Sequence, residues 1–203
     1  MSNSDFGTEE VLEAPESQEL KPVWSDAPRF CTMRDLPEYR FAPWNFPHPI
    51  REEIGYTKGE FEVDEKINPD RWKECVAYLF SIDLYHQGYL WEAREQLKGL
   101  HALAPKDSPE SNLLQALYLN CSALIKAWRG DVRGLRKRSL AAHWRLSRIH
   151  AKGLAEGGRP FMGLDIADLI EQIRRYYSPV WELEDGEEIC PEGDPPRLHP
   201  KNL

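Results

Sequence analysis

What this chain lacks narrows its chemistry first. Across 203 residues there is no run of about 18 apolar residues, the length a membrane-crossing helix needs, so no membrane partner is expected. The opening stretch MSNSDFGTEEVLEAPESQEL has neither the basic start nor the apolar segment of a secretory signal. Cys31, Cys75, Cys121 and Cys190 are scattered without a CxxC pair, which argues against a zinc cluster or a disulfide framework. The histidines His48, His86, His101, His143, His150 and His199 form no HxxxH or HExxH pair, so no ready helical metal site exists. GxSxG, Walker A and GxGxxG motifs are missing too, which removes support for a nucleophile-elbow hydrolase or a nucleotide-binding fold. The resulting expectation is a cytoplasmic protein with reduced thiols, no metal and no cofactor.

Charge is plentiful but unevenly placed. The formal net charge is −8, with 41% hydrophobic and 30% charged residues, enough apolar content for a core. Residues 1–20 carry Asp5, Glu9, Glu10, Glu13, Glu16 and Glu19 and no Lys or Arg. Between 126 and 148 the balance reverses: Lys126, Arg129, Arg133, Arg136, Lys137, Arg138, Arg145 and Arg148 face Asp131 alone. The stretch WELEDGEEICPEGDPP is acidic again. Overall acidity therefore does not exclude an anionic partner for the middle of the chain.

The order of residues divides the chain into an expected disordered acidic tail (1–29), a single helical domain (30–180) and an acidic, Pro-containing C-terminal tail (181–203). Within the domain, residues 30–69 read as an arm. LPEYRFAPWNFPHPI cannot be a helix interior, because proline lacks the amide and constrains its predecessor. Its aromatics Tyr39, Phe41, Trp44 and Phe46 suit an extended segment wrapped over a hydrophobic surface. From 70 onward the period becomes helical. Trp72, Val76, Leu79, Phe80 and Leu84 share a face that Gly88 ends, and a second helix follows over about 89–103. A third, entered at Ser108–Pro109, is apolar nearly all round and so central. Asp131 caps a fourth, running to about Ala155, and Asp165 caps a fifth. With no alternating strand and short links, the expected fold is all-α: a compact antiparallel bundle of about five helices with an extended aromatic, Pro-rich N-terminal arm.

Each helix also places a polar group toward the core. Asp83 lies within roughly 10° of the centre of its helix's apolar face. A carboxylate there must be paired, protonated or in a cavity; it either bonds a neighbouring helix end or arm amide, or lines a functional pocket. Arg94 sits about 70° from the centre of its own apolar face, at the core's edge. Glu92 and Glu95, in the first turns, complement the helix dipole, and Glu95 and Lys98 form an i,i+3 pair. Lys126 shares a thin polar line with Gln115, Ser122 and Asn120 on the third helix. It either snorkels to a carboxylate or the surface, or serves as a cationic ligand for substrate or for Asp83. His143 and His150 read as surface residues.

Four pieces in order, LPEYRFAPWNFPHP, IGYTKGE, IDLYHQGYLWEAREQL and LLQALYLNCSALIKAWRGDVRG, over roughly 36–150, resemble the domain of unknown function 309 family. Members of that family show a PxYRxxPGxxPHP arm, a GHS turn, an LFNxGxYWEAHExLExxW helix pair and a QGLIxxAAAxxKxxxGNxxGA helix. The resemblance implies a compact helical domain with no established activity. It matches His48 to the arm histidine, Glu92 and Glu95 to the motif glutamates, and Gln115, Lys126 and Gly130 to third-helix positions. Tyr56 and Arg94 stand where motif histidines would be, and His101 falls near the motif tryptophan. Arginine is no base near neutral pH and a poor metal ligand, so an EAHE-type proton-transfer or metal role is not expected of EARE.

The expected function is a non-catalytic or diverged interaction or small-ligand-binding module. Its candidate pocket comprises His48, Asp83, Glu92, Arg94, Glu95, Gln115 and Lys126, and its partner is a protein or a small anion. An alternative is an acid–base hydrolase-like enzyme using Glu92, Glu95 and His48. A third is nucleic-acid binding through Arg133, Arg136, Lys137, Arg138 and Arg145.

Overall fold

A computed structural model of the chain describes residues 24, 26–41, 63–154, 159–183, 191 and 193–201. Five α-helices follow one another: α1 (Val76–His86), α2 (Leu90–Leu103), α3 (Pro109–Trp128), α4 (Val132–His150) and α5 (Ile166–Trp181). Each packs against its neighbour in sequence, α1 on α2, α2 on α3, α3 on α4 and α4 on α5. The described residues include no β-strand, only an isolated bridge between Phe161 and Leu164. The all-α architecture expected from the hydrophobic period is the one observed.

The local signals that end these helices are stereochemical. Ser108 caps α3 by accepting the Ser111 amide, with Pro109 in the first turn, where no intrahelical donor is needed. Asp131 caps α4 through the Gly134 amide at 2.7 Å, and Asp165 caps α5 through Asp168. Gly88, at φ +81°, takes the left-handed conformation that lets the chain leave α1. Two boundaries differ from the sequence expectation. Residues Pro69–Glu74 form a separate 3₁₀ segment, kinked at Arg71 and cut from α1 by extended Cys75. The fourth helix stops at His150 rather than near 155, because Gly153 turns left-handed and its amide bonds His150.

α1 has no solvent face: every residue from Ala77 to His86 is buried. A helix of this kind needs cover on all sides, and the sequence-neighbour helices supply only part of it. The rest comes from segments without regular structure. Residues 24 and 26–29, expected in a disordered tail, are instead held by the helices: Ala27 is buried, as is Cys31, and Trp24 donates its amide to the His86 carbonyl at 2.8 Å. Phe41 meets Trp91 edge-on with centroids 5.1 Å apart, while the Arg40 guanidinium lies over Tyr89 and donates to the Gln87 carbonyl. The remaining arm aromatics, Trp44 and Phe46, lie outside the described residues.

The C-terminal stretch also lies against the helices from 193 to 201. Pro196, Leu198 and Pro200 are buried, and Tyr85 donates its hydroxyl to the Pro196 carbonyl at 2.5 Å. Asn120 donates to the same Tyr85 oxygen and accepts from Tyr177, so α1, α3, α5 and the C-terminal strap meet at one buried amide. Lys201 bonds the Gly163 carbonyl with its amide and Asp165 with its ammonium. Gly163 is itself constrained, since a Cβ there would stand 2.5 Å from the Trp72 ring.

His86 sits where the N-terminal segment, α1 and the strap join. It is 1% exposed, packs against Phe30 and Tyr85, and neither ring nitrogen has a hydrogen bond of good geometry among the described residues. Burial, then the charges of Arg197 and His199, hold it neutral and push it down from 6.5 to about 4; the Leu198 main chain and Asp26 oppose this only weakly. The unfolded chain therefore takes up a proton between these values and the folded one does not, so stability falls as pH drops through that window. The loss should approach about 3 kcal/mol by pH 4 from this residue alone. Thermal midpoints measured from pH 7 to 4 should show this slope in the wild type and a flatter one in His86→Leu. An equal slope in both would assign the acid sensitivity elsewhere.

Candidate functional site

The sequence places Asp83, Glu92, Arg94, Glu95, Gln115 and Lys126 on three consecutive helices. The structure shows what each one touches. Asp83, 1% exposed, accepts the Phe30 amide at 2.7 Å, the Cys31 amide at 2.8 Å and the Arg29 guanidinium at 3.0 Å. Of the two readings left open for it, main-chain bonding to the arm is the one seen. Arg29 is itself fixed by the carbonyls of Cys31 and Arg34, so the carboxylate and the guanidinium together fold residues 29–34 into a closed turn over α1.

Glu92 is completely buried in the first turn of α2, and its Oε1 accepts the Phe41 amide at 2.7 Å. This is more than the dipole complement read from sequence, since the side chain points inward to the arm. Asp83 and Glu92 thus perform the same task at two points, each using a carboxylate to hold an arm amide that has no strand or helix partner.

Arg94 and Glu95 form a neighbour pair. Arg94 Nε and Nη2 donate to Glu95 Oε1 at 3.0 and 2.5 Å, and Lys98 approaches Glu95 Oε2 at 3.2 Å. The guanidinium lies 6.0 Å from the Trp91 ring centre. Arg94, Glu95 and Lys98 therefore form an ion-pair network along one edge of α2, while Glu92 turns inward.

Lys126 donates to Asp131 Oδ2 at 2.6 Å, while Asp131 Oδ1 caps α4. That ties the end of α3 to the start of α4, and Lys126 followed by the Gly134 amide hold the Asp131 carboxyl below its ordinary value. Of the two readings left open for Lys126, reaching a carboxylate is the one seen: it takes Asp131, whereas Asp83 takes Arg29. Gln115 is half-buried on α3. His48 and Tyr56 lie outside the described residues. The candidates thus have four separate sets of partners: the 29–31 turn, Phe41, the Arg94–Glu95–Lys98 network and the Asp131 cap.

Other chemistry is restricted by burial. The thiols of Cys75 and Cys121 are pushed up to about 12, chiefly by desolvation, so neither is a thiolate near neutral pH. His143 is half-buried against Trp181, with ring centres 5.6 Å apart, and burial holds it low; His150 is exposed. No group of three or more His, Cys, Asp or Glu side chains among the described residues is placed to hold a metal ion. None of the described helices is long and apolar enough to cross a membrane.

The surface feature that sequence reasoning missed is Trp144. It is 53% exposed on α4, with the guanidinium carbons of Arg145 and Arg148 at 5.0 and 4.9 Å from its ring centre. Leu140, one turn earlier, is 43% exposed. Arg145 is also anchored on the buried Asn112 Oδ1 at 3.0 Å. The signal was present in the helix period: Leu135, Ala142, Leu146 and Ile149 define the inward face, and Leu140 and Trp144 fall opposite it.

No protein-family model matches the chain, and searches of the curated proteins and of the solved structures return no match.

The contrast between Asp83 and Lys126 is measurable. Asp83→Ala leaves two arm amides and Arg29 without their acceptor and should cost about 3–5 kcal/mol in urea unfolding. Lys126→Gln breaks a partly exposed pair and should cost under about 1 kcal/mol. Similar losses for both would show that Asp83 does not organise the arm.

Proposed function

We propose that this chain is a non-catalytic interaction module that presents the outer face of α4 to an anionic protein partner. The carrying observation is the use to which its buried carboxylates are put. Asp83 and Glu92 are the acidic groups best desolvated for acid–base work, and both accept main-chain amides of the arm. A general base needs its lone pairs free for a substrate proton, and both Asp83 oxygens and Glu92 Oε1 accept bonds that serve the fold. Arg94, the other candidate at this level, directs two donors at Glu95, which disfavours a small-anion pocket there. The exposed Leu140 and Trp144, set among cations, are the kind of apolar centre and charged rim that a protein interface uses. The resemblance to the domain of unknown function 309 family, and a cytoplasmic setting, belong to the same proposal and rest on the sequence motifs and the cysteine pattern.

A second reading, single-stranded nucleic acid, is favoured by one observation: the exposed Trp144 ring lies close to the guanidiniums of Arg145 and Arg148, the aromatic and cationic groups that hold single strands. It predicts binding to an oligonucleotide that weakens steeply with salt.

The test has two arms. Phosphate and small carboxylates should give no thermal shift that disappears in Arg94→Ala; a shift of several degrees lost in that variant would restore a ligand pocket at EARE. A polyglutamate peptide and a single-stranded oligonucleotide should then be titrated against wild type and Lys137→Glu. Salt-sensitive peptide binding, weakened in the variant, is expected. Binding of neither probe, or of the oligonucleotide alone, would sink the protein-partner reading.

A further inference from the structure

Among the described helices α4 alone combines several cations with no acidic residue. Between Val132 and His150 it holds Arg133, Arg136, Lys137, Arg138, Arg145 and Arg148 and no Asp or Glu. Around the axis, Arg133, Lys137, Leu140, Trp144 and Arg148 fall within about 80° of one another, so cations flank the two exposed apolar side chains along one stripe. Lys137 has no ion pair among the described residues, Arg145 bonds the neutral Asn112 amide, and Arg148 reaches Asp107 only at 3.9 Å.

The complement is present in the same chain. Residues 1–20 lie outside the described structure, but their composition is definite: six acidic residues, no basic one, and the apolar Phe6, Val11 and Leu12 interleaved with Glu9, Glu10 and Glu13. The point of attachment is also definite, because Trp24 is held at the end of α1 by its bond to His86. Twenty extended residues reach about 66–72 Å, against roughly 28 Å for the length of α4 and a radius of gyration near 17 Å for a chain of this size. The segment can therefore lie along α4 from where it is anchored, at the roughly millimolar effective concentration a short tether gives.

We propose that the outer face of α4 is the docking site of the chain's own acidic N-terminal segment, residues 1–20, which occupies it in cis and must be displaced by the anionic partner. The proposal rests on the preceding reading for the role of α4 and adds its regulation. The apolar residues of the segment cover Leu140 and Trp144, and its carboxylates pair with Lys137, Arg145 and Arg148. A long polyanion has to compete with this tethered segment while approaching a chain of net charge −8.

The intact chain can be tested directly by zero-length carbodiimide crosslinking, which joins a carboxylate to an amine in contact. Mapping of the monomer band should find Lys137 joined to Glu9, Glu10, Glu13 or Glu16. The yield should fall several-fold at roughly 1 M salt, where the Debye length is about 3 Å. It should fall likewise in Leu140→Ser with Trp144→Ser, whose thermal midpoint should stay unchanged because both sites are exposed. Glu9→Lys with Glu10→Lys, outside the helical core, checks the same contact from the other side and should lower the yield at Glu13 and Glu16. Crosslinks from Lys137 that are absent, that run only to residues 182–194, or that join only isotopically distinct copies would overturn the inference. If they are absent while polyglutamate still binds α4, the interaction-module reading survives and the cis contact does not. If they are absent while a single-stranded oligonucleotide binds in a Trp144-dependent way, α4 is a nucleic-acid face instead.

Discussion

A carboxylate buried in the middle of a helix with no solvent face has to be satisfied by something brought from elsewhere in the chain, and here Asp83 imposes that condition. α1 is enclosed on every side, so its one acidic residue cannot reach water. The two amides and one guanidinium it accepts all come from residues 29–31, more than fifty positions away. Charge-assisted bonds of this kind are strong, and leaving either side unmade in the interior is costly. The arm is consequently part of the fold: its amides need the carboxylate as much as the carboxylate needs them. Glu92 repeats the device at Phe41, and together they set the path of the chain across α1 and α2.

That use of acidic residues shapes the functional reading. Buried carboxylates beside an arginine have the composition of a reactive site, and only their partners distinguish a site from a scaffold. In this protein the partners are backbone amides, a neighbouring glutamate and a helix cap. Such contacts hold positions fixed. An outward set of cations around an exposed tryptophan lies on α4, where Arg145 is anchored to α3 through Asn112. The proposed function follows from this division between an inward polar set that orders the chain and an outward basic and aromatic set that can meet another surface.

The strap at 193–201 completes the enclosure of α1 from the opposite end of the chain. Tyr85 and Tyr177 share Asn120, and Tyr85 holds Pro196. This polar cluster lies among apolar side chains and has its donors and acceptors matched, as buried networks must. It leaves His86 buried where the N-terminal segment and the strap meet, beside the cations Arg197 and His199, so that protonating it opposes the fold.

The sequence by itself determined the helices, their order and most of their caps. Helical periodicity, proline stereochemistry and the Ser108, Asp131 and Asp165 caps are local properties, readable within a few residues. It also located the polar groups that turn inward, Asp83 above all, because helix geometry fixes which face a residue is on. What a polar group would meet was not legible, since that depends on residues distant in the chain: Arg29 for Asp83, Phe41 for Glu92, Pro196 for Tyr85. The acidic, Pro-containing composition of 181–203 suggested a tail for the same reason. Nothing local announces that Leu198 will be buried or that Lys201 will find Asp165. Tertiary structure alone decided which distant groups the polar residues within helices α1–α3 would bind, and so that they hold the protein together. Hydrogen bonds and burial are satisfied across the whole chain at once, whereas periodicity is satisfied one turn at a time.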